Sequence, residues 1–589
     1  MRISEGFQQP PYPTQHPYTA DPILPGLLKR LLPETVRNTL ETDLVRLGDV
    51  LADDVRPLAP LVQPATLTQY DEFGRRIDQL HTSEGWRKIE EFAIKEGYNA
   101  VAYERVYGEH SRTFQFARTL IMTGDSHVIM CPMGMTDGAT RLMERYGTES
   151  MKFEVLPKLL SRDPAAAYLS GQWMTERPGG SDLSRTETHA TPTERISSDL
   201  GRPYILDGFK WFSSAAEGHM AVALARTGAP SSGTRGLSLF LVPLRIAPYA
   251  SPLSNGVLIH RLKNKVGTHG VPTAELELRA TRAWLIGPEG AGVKTIAAML
   301  NVTRVHSAVH SVGSLQRCLA LARAYAGVRT VQSGKALLKD IPLHVAGLAD
   351  IALTYRGLVH VVFGAVALLG KSECGTASSG EEARLRLLTP TIKAYAAQKA
   401  SGGMEEAMGA MGGLGYMEET GIGRLIRDAM VEKIWEGTIN VCALDLTRAT
   451  TKDPGAVASF TEWAHDVIAA VPPLLRAQVW KALDTLSAAV SKLPGLLKES
   501  AVNPILPRLV LAYFAAISCG LYLLEHATWA YATGEPTAEE DIEAFRRWVL
   551  EGDLTKTEAD IASVQGDPQG RAKLNLKLVY GTRAPPAKL

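Results

Sequence analysis

Cysteine is scarce in this chain: five residues among 589, Cys131, Cys318, Cys374, Cys442 and Cys519, widely spaced and with no C-x-x-C pair. No disulfide framework and no metal site are therefore expected, and a reducing interior fits better. Net charge is scarce too. Lys and Arg number 63 against 62 Asp and Glu, so no global basic field would gather nucleic acid or anionic lipid. The first 25 residues are polar and proline-rich, without the apolar core of a signal peptide. Long apolar runs are few. The longest uncharged one, Leu509–Leu524 between Arg508 and Glu525, holds Tyr, Ser and Gly and is slightly short for a bilayer. A buried helix is expected there, and no membrane span.

What is present is ordinary globular material, 45% hydrophobic and 21% charged, in 63.8 kDa. That suffices for several domains with sizeable cores. Residues 1–165 read as helical, with mixed apolar and charged periodicity in Glu41–Leu51 and Trp86–Ile94. From 166 to 287, short apolar runs such as Met220–Ala225 and Leu237–Val242 alternate with Gly, Pro, Ser and Asp-Gly turn signals, which predicts a β domain. Helical patterning resumes over 288–450, Asp453-Pro454-Gly455 breaks it, and a further helical segment covers 451–580 before a tail at 581–589. The expected class is α+β, mostly α.

Three clusters carry chemistry. Met174-Thr175-Glu176-Arg177-Pro178-Gly179-Gly180-Ser181-Asp182 combines glycines, which let backbone approach a ligand, with hydroxyls and free N–H groups. Gly208-Phe209-Lys210-Trp211-Phe212-Ser213-Ser214 is an aromatic strand ending in a hydroxyl pair, with Trp211 able to face a flat ring. In Ile434-Trp435-Glu436-Gly437-Thr438, a carboxylate stands between a bulky apolar residue and a glycine; partial desolvation there would raise its basicity. The loop Gly412-Gly413-Leu414-Gly415-Tyr416 and the pair Arg427-Asp428 precede it. Taken singly, an ordinary Pro-Gly-Gly turn, a core strand and a solvated or salt-bridged glutamate account for the clusters better than chemistry does.

All three occur in one order with matched spacing, and over roughly residues 60–450 the chain resembles the acyl-CoA dehydrogenase family of flavoenzymes. M-T-E-x-x-G-G-S-D and K-W-F-S-S resemble its two flavin-contact signatures, and G-G-L-G-Y, R-D and I-W-E-G-T its C-terminal signature. Trp-Glu-Gly and the extra C-terminal residues resemble most the alkylation-response (AidB-type) branch. The resemblance implies a helical N-terminal domain, a central β-barrel-like domain, a C-terminal helical bundle and an appended helical domain. It also implies FAD as cofactor, acyl-CoA as substrate and a homo-oligomer, dimer or tetramer. By this carry-over Met174, Thr175, Ser181, Trp211, Ser213, Arg329, Gly412, Gly413, Thr438 and Asn440 would meet FAD. Ser181, Arg304 and Gly437 would meet substrate, and Glu436 would be the catalytic base. Thr303 stands where some members place that base and cannot serve as one. Departures are Gln332-Ser333-Gly334 where the family usually follows the arginine with x-x-Phe-Gly, Gly409 for a glutamine, and His269 for an arginine.

The implied reaction is α,β-dehydrogenation of acyl-CoA thioesters, as in fatty acid β-oxidation. Glu436 takes the α-proton, and the hydride passes to the flavin. The alternatives are an acyl-CoA oxidase using oxygen and a DNA-binding flavoprotein of the alkylation-response type. Residues 451–589 hold 14 Lys and Arg against 16 Asp and Glu, which removes the simplest reason to expect nucleic acid. The final Ala587-Lys588-Leu589 is a close variant of the S-K-L address, so a peroxisomal import receptor and peroxisomal location are expected.

Overall fold

Hydroxyl caps and apolar periodicity set the N-terminal helices. Glu84–Lys95 begins where the Ser83 hydroxyl accepts from Trp86 N–H, and it buries Trp86, Ile89 and Ala93. Ser111–Thr123 is buried along its whole length, and Met130–Tyr146 nearly so. Buried charges on these helices are matched. Arg112 pairs with Asp137 at 2.8 Å and with Glu373 of the bundle at 2.7 Å, and His306 meets Asp137 at 2.7 Å. The computed structural model describes residue 12 and residues 15–197, 199–245 and 254–581; the tripeptide 587–589 lies outside the described residues.

One part of the N-terminal region departs from the helical expectation. Thr66–Tyr70 and Arg76–His81 pair as an antiparallel hairpin. It docks on strand Val257–Leu262: Gln69 Nε2 donates to the Ile259 carbonyl at 2.9 Å, and Ile259 N–H donates to Asp78 at 3.0 Å.

The β region is a seven-stranded sheet closed on itself. Met220–Arg226 runs antiparallel to Leu237–Pro243, which pairs with Thr273–Ile286; that strand pairs with Pro203–Ser214, and His189–Pro192 returns to Arg226. Ser170–Trp173 lies parallel to Met220–Ala223. Met220–Arg226 is buried at every position because both its faces are covered. Trp173, Tyr204, Phe240 and Leu276 fill the inside of the barrel, while Val222, Leu224 and Leu239 join the helical core outside it.

Long helices follow: Gly292–Ala326, Pro342–Cys374, Ser379–Ala410 and Ile439–Lys452. Ser378 and Glu381 form a reciprocal cap on the third of these. After Arg329, Thr330–Val331 and Ala336–Leu337 form a small hairpin. Its turn, Gln332-Ser333-Gly334, has positive φ throughout. The chain turns at Asp453, whose carboxylate caps Pro454–Ala469, and five more helices end at Tyr580. Leu506–Thr533 is the buried centre of this last group, and 83% of its most apolar window is inside the protein. For Pro342–Cys374 the figure is 72%. Both are long and apolar enough to cross a membrane, yet their apolar faces meet protein. The whole is 63% helical around a closed barrel-like sheet, the expected α+β, mostly α class.

Candidate active site

Two of the three motifs meet at the barrel rim. Trp211 N–H donates to the Thr175 carbonyl at 2.9 Å, which splices the second motif onto the first. Beneath this contact Lys210, fully buried, donates to Glu176 at 2.6 Å and to the Leu224 carbonyl at 2.7 Å. Glu176 also receives N–H bonds from Glu187 and Thr188, and the Lys210 cation with these donors holds its carboxyl below the usual range against the effect of burial. The pair therefore fixes the M-T-E turn as a structural strut. Ser214 and Thr273 hydroxyls lie 2.9 Å apart, and Lys265 Nζ reaches Thr273 at 3.1 Å.

The third motif joins from the bundle side. Gly267 lies so close to Arg427 that an added Cβ would stand 2.2 Å from its carbonyl oxygen, so only glycine fits. Next to it Thr268 N–H donates to Asp428 at 2.6 Å. Glu436 follows on a turn between the short helix Met430–Lys433 and Ile439–Lys452, whose first turn is capped by the Thr438 hydroxyl. Its φ is +55°, and that of Gly437 is +99°. A non-glycine residue held there costs of order 1–3 kcal/mol and persists only when its surroundings enforce it.

The surroundings are specific. Thr303 Oγ1 donates to Glu436 Oε2 at 2.6 Å. Arg304 Nε donates to the Glu436 carbonyl at 3.1 Å, while its other arm meets Asp445 at 2.7 Å. Lys393 Nζ donates to the Gly437 carbonyl at 2.5 Å. Burial pushes the Glu436 carboxyl above the ordinary range; the Thr303 hydroxyl, Arg304, Lys393 and the Gln172 amide pull it back without cancelling the shift. A carboxylate of raised basicity, oriented by a hydroxyl, can accept a proton from a weak acid held against it.

Among the expected residues, the structure brings together Thr175, Trp211 and Ser213 at the rim, and Glu436, Gly437, Thr438 and Arg304 at the bundle turn. Met174 is half-buried beside Thr175. Trp211 carries Lys263 over its ring, 3.3 Å from the centroid. The Arg304 guanidinium meets Asp445 and the Glu436 carbonyl, which places it beside the base. Ser181, Arg329 and Asn440 are exposed and share no described hydrogen bond with the Glu436 cluster; Asn440 accepts instead from Arg508 at 3.5 Å. Gly412 and Gly413 are exposed, with nothing within 4 Å of an added Cβ. Gln172, Lys393 and Glu432 were not expected at the site, and Thr303 was expected only as a position that cannot supply the base. Glu432 is buried, accepts from Ser307 at 2.5 Å and from the Trp435 indole, and lies 3.6 Å from His310.

The residues present fit the FAD that the motifs imply. Ser213 Oγ and Gln172 Oε1 are buried without a hydrogen-bond partner among the described residues, and both lie on barrel strands that frame the Thr175–Trp211 contact. Buried polar groups are nearly always satisfied, so such a pair marks a ligand edge rich in donors and acceptors. The open space over Gly412 and Gly413 leaves room for an extended group on the bundle side.

Comparison with known proteins agrees with this geometry. The sequence model of the adaptive response protein AidB N-terminal domain matches residues 7–164. That of the acyl-CoA dehydrogenase middle domain matches 171–281, and that of the C-terminal domain 290–451. Acyl-CoA dehydrogenase family member 11 of Caenorhabditis elegans is 36% identical over 569 residues, 93% of this chain and 90% of that protein. The putative acyl-CoA dehydrogenase AidB of Escherichia coli is 30% identical over 402 residues, 67% of this chain and 70% of its own. The crystal structure of Caenorhabditis elegans ACDH-11 in complex with C11-CoA superposes with a TM-score of 0.89 at 33% identity, covering 99% of each chain. An acyl-CoA dehydrogenase complexed with FAD from Bacillus anthracis shares the fold, with a TM-score of 0.71 over 94% of this chain and 93% of that one at 18% identity.

Proposed function

The chain belongs to the acyl-CoA dehydrogenase family, whose members bind FAD, and from that premise we propose that Glu436 takes the α-proton of an acyl-CoA thioester in its α,β-dehydrogenation. The observation that carries the reading is the Glu436 carboxylate itself. It is raised in basicity by burial, aimed by Thr303, and sits on a strained turn at the seam of barrel and bundle.

A proton α to a thioester is only weakly acidic, so removing it needs a positioned base and relief of the charge that develops on the carbonyl oxygen. Glu436 supplies the first. Its backbone N–H is the donor proposed for the second, on a turn whose two carbonyls are already held by Arg304 and Lys393. Met174, Thr175, Ser213, Trp211, Gln172 and the Gly412-Gly413 loop would hold FAD, and when bound it supplies the hydride acceptor. Thr438 caps its helix and keeps the turn in place. Arg329 and Ser181, exposed in the single chain, are proposed for phosphate-bearing parts of FAD or CoA, Arg329 across a subunit boundary of a homo-oligomer. Residues 1–165, 166–287, 288–450 and 451–580 are proposed as the domains.

The Caenorhabditis elegans structure holds C11-CoA, and an acyl-CoA of that kind is the substrate proposed here. A second reading, an acyl-CoA oxidase in the peroxisome, is supported by Ala587-Lys588-Leu589, since oxygen would replace an electron-transfer partner there. Anaerobic addition of acyl-CoAs of graded length should bleach the flavin, with a best length among them. No bleaching by any would overturn the assignment. Oxygen consumption against dye reduction in turnover then separates oxidase from dehydrogenase.

A further inference from the structure

We infer that Lys393 is a positioning residue for Glu436: its buried ammonium clamps the Gly437 carbonyl and holds the turn that aims the catalytic carboxylate. The inference rests on the proposed role of Glu436 as base. Lys393 lies in mid-helix on Ser379–Ala410 and is 0% exposed. A lysine is seldom fully buried without a partner, because its charge is costly to remove from water. Here its hydrogen-bond partner is one backbone carbonyl, that of Gly437, at 2.5 Å. Arg304, from the Gly292–Ala326 helix, does the same to the preceding carbonyl, that of Glu436, at 3.1 Å. Two bundle helices thus each contribute a cation to successive carbonyls of one turn.

That turn has positive φ at both residues, a conformation that the backbone of Glu436 does not favour. With both carbonyls drawn toward the bundle, the carboxylate is left to meet Thr303. Lys393 thereby acts on the reaction through Glu436. An apolar side chain of similar length would fill the space but would leave the Gly437 carbonyl without its charged donor, and Cys442, whose Sγ lies 3.6 Å from that oxygen, is only a weak one.

The clamp also has an electrostatic consequence. The charged and titratable groups that face Glu436 are Arg304 from Gly292–Ala326 and Lys393 from Ser379–Ala410. Cys442 comes from Ile439–Lys452 and Cys131 from Met130–Tyr146, while Asp445 acts on the group through Arg304 and Cys442, and Glu432 through Lys393 and Cys131. Arg386 faces the group through Asp445, at 2.8 Å. Arg304 shares the Asp445 carboxylate with Arg386, whereas Lys393 has, among the described residues, no carboxylate of its own in hydrogen-bond range.

Three variants of the full-length holoenzyme test the inference. Lys393→Met removes donor and charge, Lys393→Gln keeps a donor without charge, and Lys393→Arg keeps both. Hydrogen–deuterium exchange of the peptide spanning 431–441 reads the turn, and the pH profile of anaerobic flavin reduction reads the base. Lys393→Met is expected to exchange faster in that peptide, to lose roughly ten- to a hundredfold in reduction rate near neutral pH through misplacement, and to move the pH midpoint up by about one unit. Lys393→Gln should restore protection but not the midpoint, and Lys393→Arg should restore both in part. A Lys393→Met protein with the parent's exchange and the parent's midpoint, whatever its rate, overturns the inference. Should Lys393→Met fail to fold or to hold FAD, Lys393→Gln decides: a parental midpoint in that variant also overturns it. If no acyl-CoA reduces the parent flavin, the role of Glu436 as base fails, and unchanged exchange in the variants would separately refute the clamp.

Discussion

Glu436 gains its use from interactions made by residues far from it in sequence. Replacing its carboxylate by the near-isosteric amide in Glu436→Gln removes the base with little change of volume. Flavin reduction by the best acyl-CoA should fall by about 10²–10⁴-fold, with FAD content and acyl-CoA binding kept. Stopped-flow absorbance under nitrogen checks this, and a variant within a few-fold of the parent would show that another group takes the proton. The pH dependence follows from the sign of the shift. The folded carboxyl titrates above its unfolded value, so the active, ionised form appears only as pH rises through the folded pKa. Over the same window the unfolded state has already released this proton, so this group's contribution to stability declines as pH rises. Thr303→Val deletes the hydroxyl that bonds the ionised form and should move the midpoint of the rate profile further up, which a pH series of the same reaction measures. Glu436, Thr175, Trp211 and Ser213 were legible because each lies in a short motif. Thr303 was legible as the position where some members place the base, but its bond to Glu436, across 133 residues, was not, and neither was Lys393, whose contact crosses 44 residues from plain helical sequence.

Elements explain why the motifs meet. The Lys210–Glu176 pair ties strand Pro203–Ser214 to the turn after Ser170–Trp173, and it is fully desolvated. Removing one partner of such a pair typically costs about 3–5 kcal/mol, since the other charge is left buried and alone. Lys210→Met should therefore lower the melting temperature and loosen FAD, because the Thr175–Trp211 contact loses its support; calorimetry and FAD content after gel filtration measure both. A double variant, Lys210→Met with Glu176→Leu, should recover much of the stability. Sequence periodicity found the barrel strands because runs such as Met220–Ala225 are wholly apolar and bounded by turn residues. It missed the hairpin at 66–81, where Thr66-Leu67-Thr68-Gln69-Tyr70 alternates too briefly to stand out and is held to strand Val257–Leu262 by Gln69 and Arg76, which donate to the Ile259 carbonyl, and by Asp78, which accepts from Ile259 N–H. A short strand stabilised by a partner 190 residues away carries almost no local signal.

At the scale of the whole molecule, the helices after residue 453 are bound to the bundle by close backbone approach. On Pro342–Cys374, an added Cβ at Gly364 would stand 2.3 Å from the Tyr522 ring, and at Gly357 2.3 Å from the Trp548 ring. Trp548 also donates its indole N–H to the Ala516 carbonyl at 3.0 Å, which locks Ala538–Leu550 onto Leu506–Thr533. Neither glycine has a left-handed backbone, so what they provide is space. The apolar run read from the sequence as a buried helix is buried here because two glycines on its neighbour admit large rings from the opposite side. Filling that space forces the layers apart. Gly364→Val should cost about 1–3 kcal/mol by overpacking, seen as a lower melting temperature. Because Gly364 packs on Tyr522 and is not among the described partners of Glu436, the rate of flavin reduction per bound FAD should stay near the parent's while the protein remains folded. Tyr522→Ala in the same chain makes room for the valine methyls, so the two changes together should cost less than their sum, and a double-mutant cycle on melting free energies measures that coupling. Strict additivity would mean that Gly364 and Tyr522 do not meet as the structure places them. The appended helices would then be held to the bundle by some other contact.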